Sequence, residues 1–255
     1  MKKITLFLLG VLMLPTLCIA TESNELDSLK AKADKAFSEE KYEEAANTYK
    51  RVADSVASVD VYYNLGCTYY RLDDMAKSVL WFERALKLNP ADEDIEANLQ
   101  LAREKTIDRI NAKHSFVVLD IFHHIAAMLS LTQWTWTCLS LFILALVAAI
   151  LFLVSPNIKI RKYGFFASAF FLLLCIVGNG CAWYQKHEAS RHDAGVIVSS
   201  VVTVKSTPSE GGNDLFLLHE GTRVEIKDNS LKDWAEIEIS DGKVGWIQKK
   251  HFEVI

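Results

Sequence analysis

Hydrophobic positions follow three rhythms along this chain. From 24 to 112, apolar and small residues return at helical spacing between charged faces: Ala33, Phe37, Tyr42, Ala45 and Tyr49, then Tyr62, Leu65, Gly66, Tyr69, Met75, Phe82 and Ala85. That is the pattern of paired amphipathic helices. From 133 to 185 polarity almost vanishes. Neither 133–158 nor 163–185 carries a charged side chain. From 194 onward the period becomes two, with Val196 and Val198, Val202 and Val204, Val224 and Ile226, Ile237 and Ile239, and Val244 and Trp246 reading as five short strands. Turn signals separate them at Thr207-Pro208, 210–213, Glu220-Gly221, Asp228-Asn229 and Asp241-Gly242. About sixty residues of this texture make a small all-β barrel.

The central rhythm sets the geometry of the rest. A helix rises ~1.5 Å per residue, so roughly 20 residues cross a ~30 Å hydrocarbon core, and both apolar stretches qualify. They predict a two-helix transmembrane hairpin, 133–155 and 163–185. The turn 156–162 carries Lys159, Arg161 and Lys162 and no acid. Short basic loops stay in the cytoplasm, which puts both flanking domains on the outer side. No ionisable residue lies at depth, so the hairpin reads as an anchor rather than an ion pathway. Residues 1–20 have the form of a secretory signal peptide cleaved after Ala20, with Lys2 and Lys3 before an apolar run and small Cys18 and Ala20 at its end. Lipidation of Cys18 is disfavoured by Leu17, and an uncleaved anchor would give the same topology. In 113–132, Val118, Ile121, Phe122, Ile125, Met128 and Leu129 fall on one side of an amphipathic helix lying on the membrane surface, with Trp134 and Trp136 at headgroup depth. His123 and His124 project about 100° apart on a helix and do not readily share one metal ion.

Composition narrows the function classes. With 255 residues, 51% hydrophobic, and a net charge of -4, the chain is neither disordered nor a nucleic-acid binder. Cys67 and Cys181 lie in different regions and suggest no disulfide framework. No serine sits in a glycine-flanked elbow, no glycine-rich phosphate loop appears, and His187 and His192 in the mixed-charge linker 186–193 lack metal-ligand spacing. The reading is therefore non-enzymatic, with no cofactor and no metal.

Internal repetition identifies the first soluble part. Asp60-Val61 recurs as Asp94-Ile95 and Asn64-Leu65 as Asn98-Leu99, each thirty-four residues on. With Tyr62, Leu65, Gly66, Tyr69, Met75, Phe82, Ala85 and Pro90, and with Ser78 where the pattern has alanine, residues 24–112 resemble a tetratricopeptide array. It would comprise two hairpins and a polar capping helix over 92–110. The resemblance implies a concave peptide- or partner-binding face carrying Tyr63, Asn64, Tyr70, Arg71 and Asn98. The competing structural reading makes the tyrosines packing aromatics and the asparagines turn-ordering residues.

The C-terminal module, 194–255, resembles the bacterial SH3 domain through Val202-Thr203-Val204-Lys205-Ser206-Thr207-Pro208-Ser209, Leu218-His219-Glu220-Gly221-Thr222-Arg223-Val224, Asp233-Trp234 and Gly245-Trp246-Ile247. The family's asparagine and arginine are replaced by Thr203 and Lys205. A ligand surface would use Trp234 as a stacking face, with Asp214 and Glu220 open to cations, while Trp246 fills the barrel. The order signal peptide, tetratricopeptide array, transmembrane hairpin and SH3 module resembles the BatE-type proteins of the aerotolerance (Bat) operon family of Gram-negative bacteria. That likeness implies an inner-membrane scaffold with both soluble domains in the periplasm. Its implied partners are inner-membrane von Willebrand A domain proteins and, indirectly, a MoxR-type ATPase. The alternative is a membrane-anchored cell-wall sensor whose SH3 module binds peptidoglycan peptides.

Overall fold

The computed structural model describes residues 16–108, 125–126 and 128–255, with side chains from Glu25 onward. Residues 1–15 of the expected leader, and most of the expected juxtamembrane helix with His123 and His124, lie outside the described residues. Helix α1 (Thr16–Ser38) is continuous through Ala20.

Four further helices complete an antiparallel array: α2 (Tyr42–Ala53), α3 (Val59–Arg71), α4 (Met75–Leu88) and α5 (Glu93–Glu104). Two of the starts are set by acidic caps. Asp74 accepts from the amide of Lys77 at 3.1 Å, and Asp92 from that of Ile95 at 3.2 Å, satisfying donors a helix N-terminus leaves orphaned. The two intra-hairpin turns are alike, with Glu40 and Asp73 each in the left-handed region at φ 60°. Each is followed by an amide (Lys41, Asp74) that closes back onto a carbonyl of the preceding helix (Ala36, Tyr69). The expected capping helix over 92–110 stops at Glu104, where the hydroxyl of Thr106 donates to the carbonyl of Arg103 at 2.8 Å and competes for a helical acceptor.

Small residues let the array close. Ala33, Ala36 and Ala45 pack with Tyr49, Val52, Val61, Leu65 and Trp81 in one core. A β-carbon on Gly66 would fall 2.5 Å from the Phe82 ring, so only glycine admits the close crossing of α3 and α4. Ser78, where the repeat pattern has alanine, is fully buried and donates to the carbonyl of Gly66 at 2.9 Å.

Helices α6 (Leu131–Val154) and α7 (Ile158–Ser190) form a long hairpin, and both are long and apolar enough to cross a membrane. Ser130 and Gln133 close a capping box at the start of α6. The expected loop 156–162 is shorter than its composition suggested. Asn157 caps α7 by accepting from the amide of Lys159 at 2.9 Å, so Lys159, Arg161 and Lys162 stand on the first turns of the helix. At the other end α7 runs past 185 to Ser190 and takes in much of the expected linker, whose Lys-His-Glu-Ala-Ser contains no helix breaker. The seam is built from small residues: Cys138, Ala145 and Ala148 face Gly164, Gly178 and Cys181, all buried. Gly178 lies against Cys138 and Trp134, whereas Gly180 meets nothing and Asn179 turns back to the Cys175 carbonyl at 2.9 Å.

The C-terminal part is a seven-stranded antiparallel sheet, ordered β3-β2-β6-β5-β4-β1-β7. Its strands are β1 (Ala194–Ile197), β2 (Val201–Lys205), β3 (Asp214–His219), β4 (Arg223–Asp228), β5 (Trp234–Glu238), β6 (Val244–Gln248) and β7 (Phe252–Val254). Five strands are those the alternation predicts. The two it misses are the edges. In β3 only Leu218 is buried and four of its six residues are apolar, which hides the period, and β7 is very short. The inward set is Ile197, Val202, Val204, Leu218, Val224, Ile226, Ala235, Ile237, Ile239, Ile247 and Phe252. Trp246 does not fill this core as expected. Gly245 and Ile247 are buried and Trp246 is only half-buried, because successive residues of a strand face opposite sides.

The sheet packs directly on the array. Val196 and Ile255 belong to the same core cluster as Val79, Leu80, Phe82, Ala85, Ile95 and Leu99. Arg84 donates to the Val254 carbonyl at 2.6 Å, and Lys87 to that of Ile255 at 2.9 Å. Glu83, only 6% exposed, is paired with Arg103 of the array and has Arg223 of β4 at 3.8 Å. Just beyond α5, Asp108 accepts from the His219 amide at 2.7 Å, its imidazole Nδ1 at 2.8 Å and the Thr222 hydroxyl at 2.8 Å.

Candidate functional site

The face formed by α3 and α5 gathers the residues that the resemblance to a helical repeat implied. Tyr63, Asn64, Cys67, Tyr70 and Arg71 share one side of α3, at offsets of one, four, seven and eight. Asn98 lies on α5, and its amide nitrogen donates to the Tyr63 hydroxyl at 3.2 Å and to the Asp94 carbonyl at 2.8 Å. Lys105, the C-cap of α5, stands 4.0 Å over the Tyr70 ring. Four of the five expected residues are half-buried and Arg71 is exposed.

These positions combine both readings of them. Tyr63 packs on Phe82 with ring centroids 5.8 Å apart, yet keeps its hydroxyl at the rim. Burial, then the neighbouring Cys67, pushes the phenol up to about 12, so it remains a neutral hydrogen-bonding group near neutral pH. Burial likewise pushes the Cys67 thiol up, which makes it a poor nucleophile. Asn64 is drawn the other way, toward Asp34 on α1 at 3.4 Å. Asp34 also accepts from Tyr49 at 2.5 Å and Lys30 at 3.1 Å, and burial together with that carboxylate raises the Tyr49 phenol. Sequence reasoning missed Asp34. Its signal was an acid set between Ala33 and Phe37, on the side that periodicity assigns to the core.

Arg71 and Lys105 form no ion pair among the described residues. These two cations offer donors to an extended, anionic or carbonyl-rich segment, while Asn98 has both amide protons committed to Tyr63 and Asp94 and Asn64 is turned to Asp34. The sheet docks on α4, and no hydrogen bond or ion pair joins it to these side chains among the described residues. This geometry is that of a repeat hairpin with a polar groove. Residues 59–92 match the tetratricopeptide repeat family. The tetratricopeptide repeat thus covers α3, α4 and the turn that ends at the cap of α5, and the chain contains a module of a protein-binding class. No curated protein matches the chain.

The three candidate residues on the sheet are not brought together. Asp214 pairs with Lys205 at 2.5 Å, and Glu220 is exposed in the turn between β3 and β4. Trp234 separates two hollows, one reaching Lys205, Glu210 and His251 and the other Lys232 and Lys249, and neither Asp214 nor Glu220 lines either. The surface beside the tryptophan is therefore mixed, with Lys205, Lys232, Lys249 and Lys250 outnumbering Glu210 and Asp233. Burial and then Lys250 hold His251 below the usual histidine range, and its Nδ1 lies 2.9 Å from the Ser199 hydroxyl. Among the described residues no cluster of three or more His, Cys, Asp or Glu has metal-binding geometry.

Proposed function

We propose that this chain is a non-catalytic inner-membrane scaffold, anchored by α6 and α7, whose tetratricopeptide groove captures a segment of a partner protein on the periplasmic side. What carries the reading is the α3–α5 face, where Arg71 and Lys105 have no ion-pair partner among the described residues and Lys105 lies over the Tyr70 ring. The outward faces of the hairpin support the anchor. Leu153, Val154, Ile158 and Tyr163 are largely exposed, an arrangement that water penalises and lipid does not. By resemblance to BatE-type proteins, the partners are inner-membrane von Willebrand A domain proteins serving a MoxR-type ATPase in an aerotolerance complex, and the sheet is a bacterial SH3 barrel.

Capture of the tagged full chain from membranes in mild detergent tests this. Von Willebrand A proteins are expected to co-purify and to be lost with Arg71→Glu combined with Asn98→Ala. Recovery of the same partners by that variant would refute the groove. The second reading, a cell-wall sensor, is favoured by the hollows flanking Trp234, where Lys232 and Lys249 suit the carboxylates of peptidoglycan stem peptides. Co-sedimentation of the chain with purified wall, abolished by Trp234→Ala while the groove variant still binds, would select it.

A further inference from the structure

Where α7 leaves the apolar span, the array, the sheet and the hairpin meet around a cavity of about 430 Å³. That lies within the range of roughly 300–1,000 Å³ typical of small-ligand sites. The groups this cavity leaves unmatched are of three kinds. Gln185 is 7% exposed, and its amide nitrogen donates to the carbonyls of Ala126 and Leu129, each at 2.8 Å. Those bonds fix its orientation and leave its Oε1 buried with no partner among the described residues. A buried acceptor without a donor costs about 1–3 kcal/mol, so the site calls for one. Lys87, also on the wall, gives protons only to the carbonyls of Ile255 and Arg191 and has no carboxylate within ion-pair distance among the described residues. The third set is apolar: Leu86, Ala126 and Ile255.

The level of the cavity along the hairpin points to its occupant. Trp183, two residues before Gln185, is 68% exposed and stacks on His187 at 5.5 Å, an aromatic placed as at a headgroup boundary. Glu83, Glu188 and Asp193 also line the cavity, Glu83 paired with Arg103 and 3.8 Å from Arg223, the other two bridged by Arg191, so the wall carries carboxylates as well as cations. A ligand that satisfies all of these must carry N–H donors, an anion and hydrocarbon in one molecule.

We propose that this junction binds a phospholipid with a primary-ammonium headgroup, the ammonium donating to Gln185 Oε1, the phosphate meeting Lys87 and Arg223, and the glycerol and upper chains lying on Leu86, Ala126 and Ile255. The proposal rests on the reading of α6 and α7 as membrane-spanning. Burial lowers Lys87 from the ordinary lysine value, and a phosphate beside it would favour the charged form again. Seated there, the lipid would bind the array and the sheet to one leaflet and fix the orientation of both.

Native mass spectrometry of the delipidated full chain tests it, with phosphatidylethanolamine, phosphatidylcholine and phosphatidylglycerol titrated separately. Phosphatidylcholine has the same phosphate and charge but no N–H donor. Phosphatidylethanolamine is expected to bind roughly tenfold more tightly than phosphatidylcholine, the size of one charge-assisted hydrogen bond. Gln185→Met should abolish that preference, and Lys87→Met should weaken both lipids together. Leu86→Trp, which fills the cavity from the array side, should remove binding even if the glutamine variant does not fold. Equal retention of all three lipids, a preference for phosphatidylglycerol, or an unchanged preference in a folded Gln185→Met chain would overturn the proposal. Carbonate washing of membranes separates the two readings. A chain that stays in the pellet but shows no lipid preference defeats only the lipid site, whereas release into the wash defeats the anchor and the site with it.

Discussion

Gly66 and Asp108 illustrate two ways in which one residue decides this structure. At Gly66 the constraint is space. A methyl group there would meet Phe82 ring carbons at 2.5–2.8 Å, and Phe82 is itself held in the core between α4 and α5. Gly66→Ala is expected to destabilise the array by about 1–3 kcal/mol, the usual cost of overpacking, read as a lowered urea midpoint. At Asp108 the constraint is charge. Burial disfavours its ionised form, but the amide and imidazole of His219 and the hydroxyl of Thr222 outweigh burial and hold the carboxyl below the usual carboxylate range. The unfolded aspartate binds a proton near pH 4 and the folded one only at lower pH. Its contribution is therefore complete above about pH 4 and is lost as pH falls through the lowered value. Urea midpoints measured from pH 6 down to pH 2 should fall steeply below pH 4 in the native chain and less steeply in Asp108→Asn.

Among elements, the turns inside the two helical hairpins are the most alike. Glu40 and Asp73 both adopt the left-handed conformation, which costs an L-residue about 1–2 kcal/mol and glycine almost nothing. Asp73→Gly is expected to raise stability by up to about 1 kcal/mol, part of the relief being offset by the greater freedom of glycine in the unfolded chain. Thermal unfolding by circular dichroism checks the sign. A drop in midpoint would mean that the Asp73 side chain contributes something its backbone conformation does not reveal. The strands teach a different lesson. Interior strands announce themselves by alternation because one face is buried. The edge strands β3 and β7 do not, because each buries a single residue, Leu218 or Phe252, and a lone buried position shows no period.

For the whole molecule, the decisive fact is that the array and the sheet share a core. Ile255 and Val196 sit among array residues, and Glu83 is enclosed by one arginine from each part. Removing 194–255 would uncover those apolar groups and leave Glu83 with half its counter-charge. The array without the sheet is expected to unfold several degrees below the full chain, since each kcal/mol shifts a domain of this size by about 4–8 °C. Scanning calorimetry of the full chain should then show the array and sheet melting in one transition. Two separate transitions, with the array's midpoint unchanged by the deletion, would show that the contact adds no stability.

The sequence by itself determined the three rhythms, and with them the helical repeat, the two apolar helices and five of the strands, because each depends on neighbours within a few residues. Its resemblance to the tetratricopeptide repeat implied Tyr63, Asn64, Tyr70, Arg71 and Asn98 as the binding face. The tertiary structure alone decided what those residues touch: Asn64 with Asp34, thirty residues away, and Asn98 with Tyr63. It also decided that Asp214, Glu220 and Trp234 do not line a common hollow, and that the sheet joins the array through Asp108 and Ile255 rather than standing apart from it. Local patterns record which face of an element avoids water. They do not record which distant surface covers that face, because any apolar surface of suitable shape satisfies the same pattern.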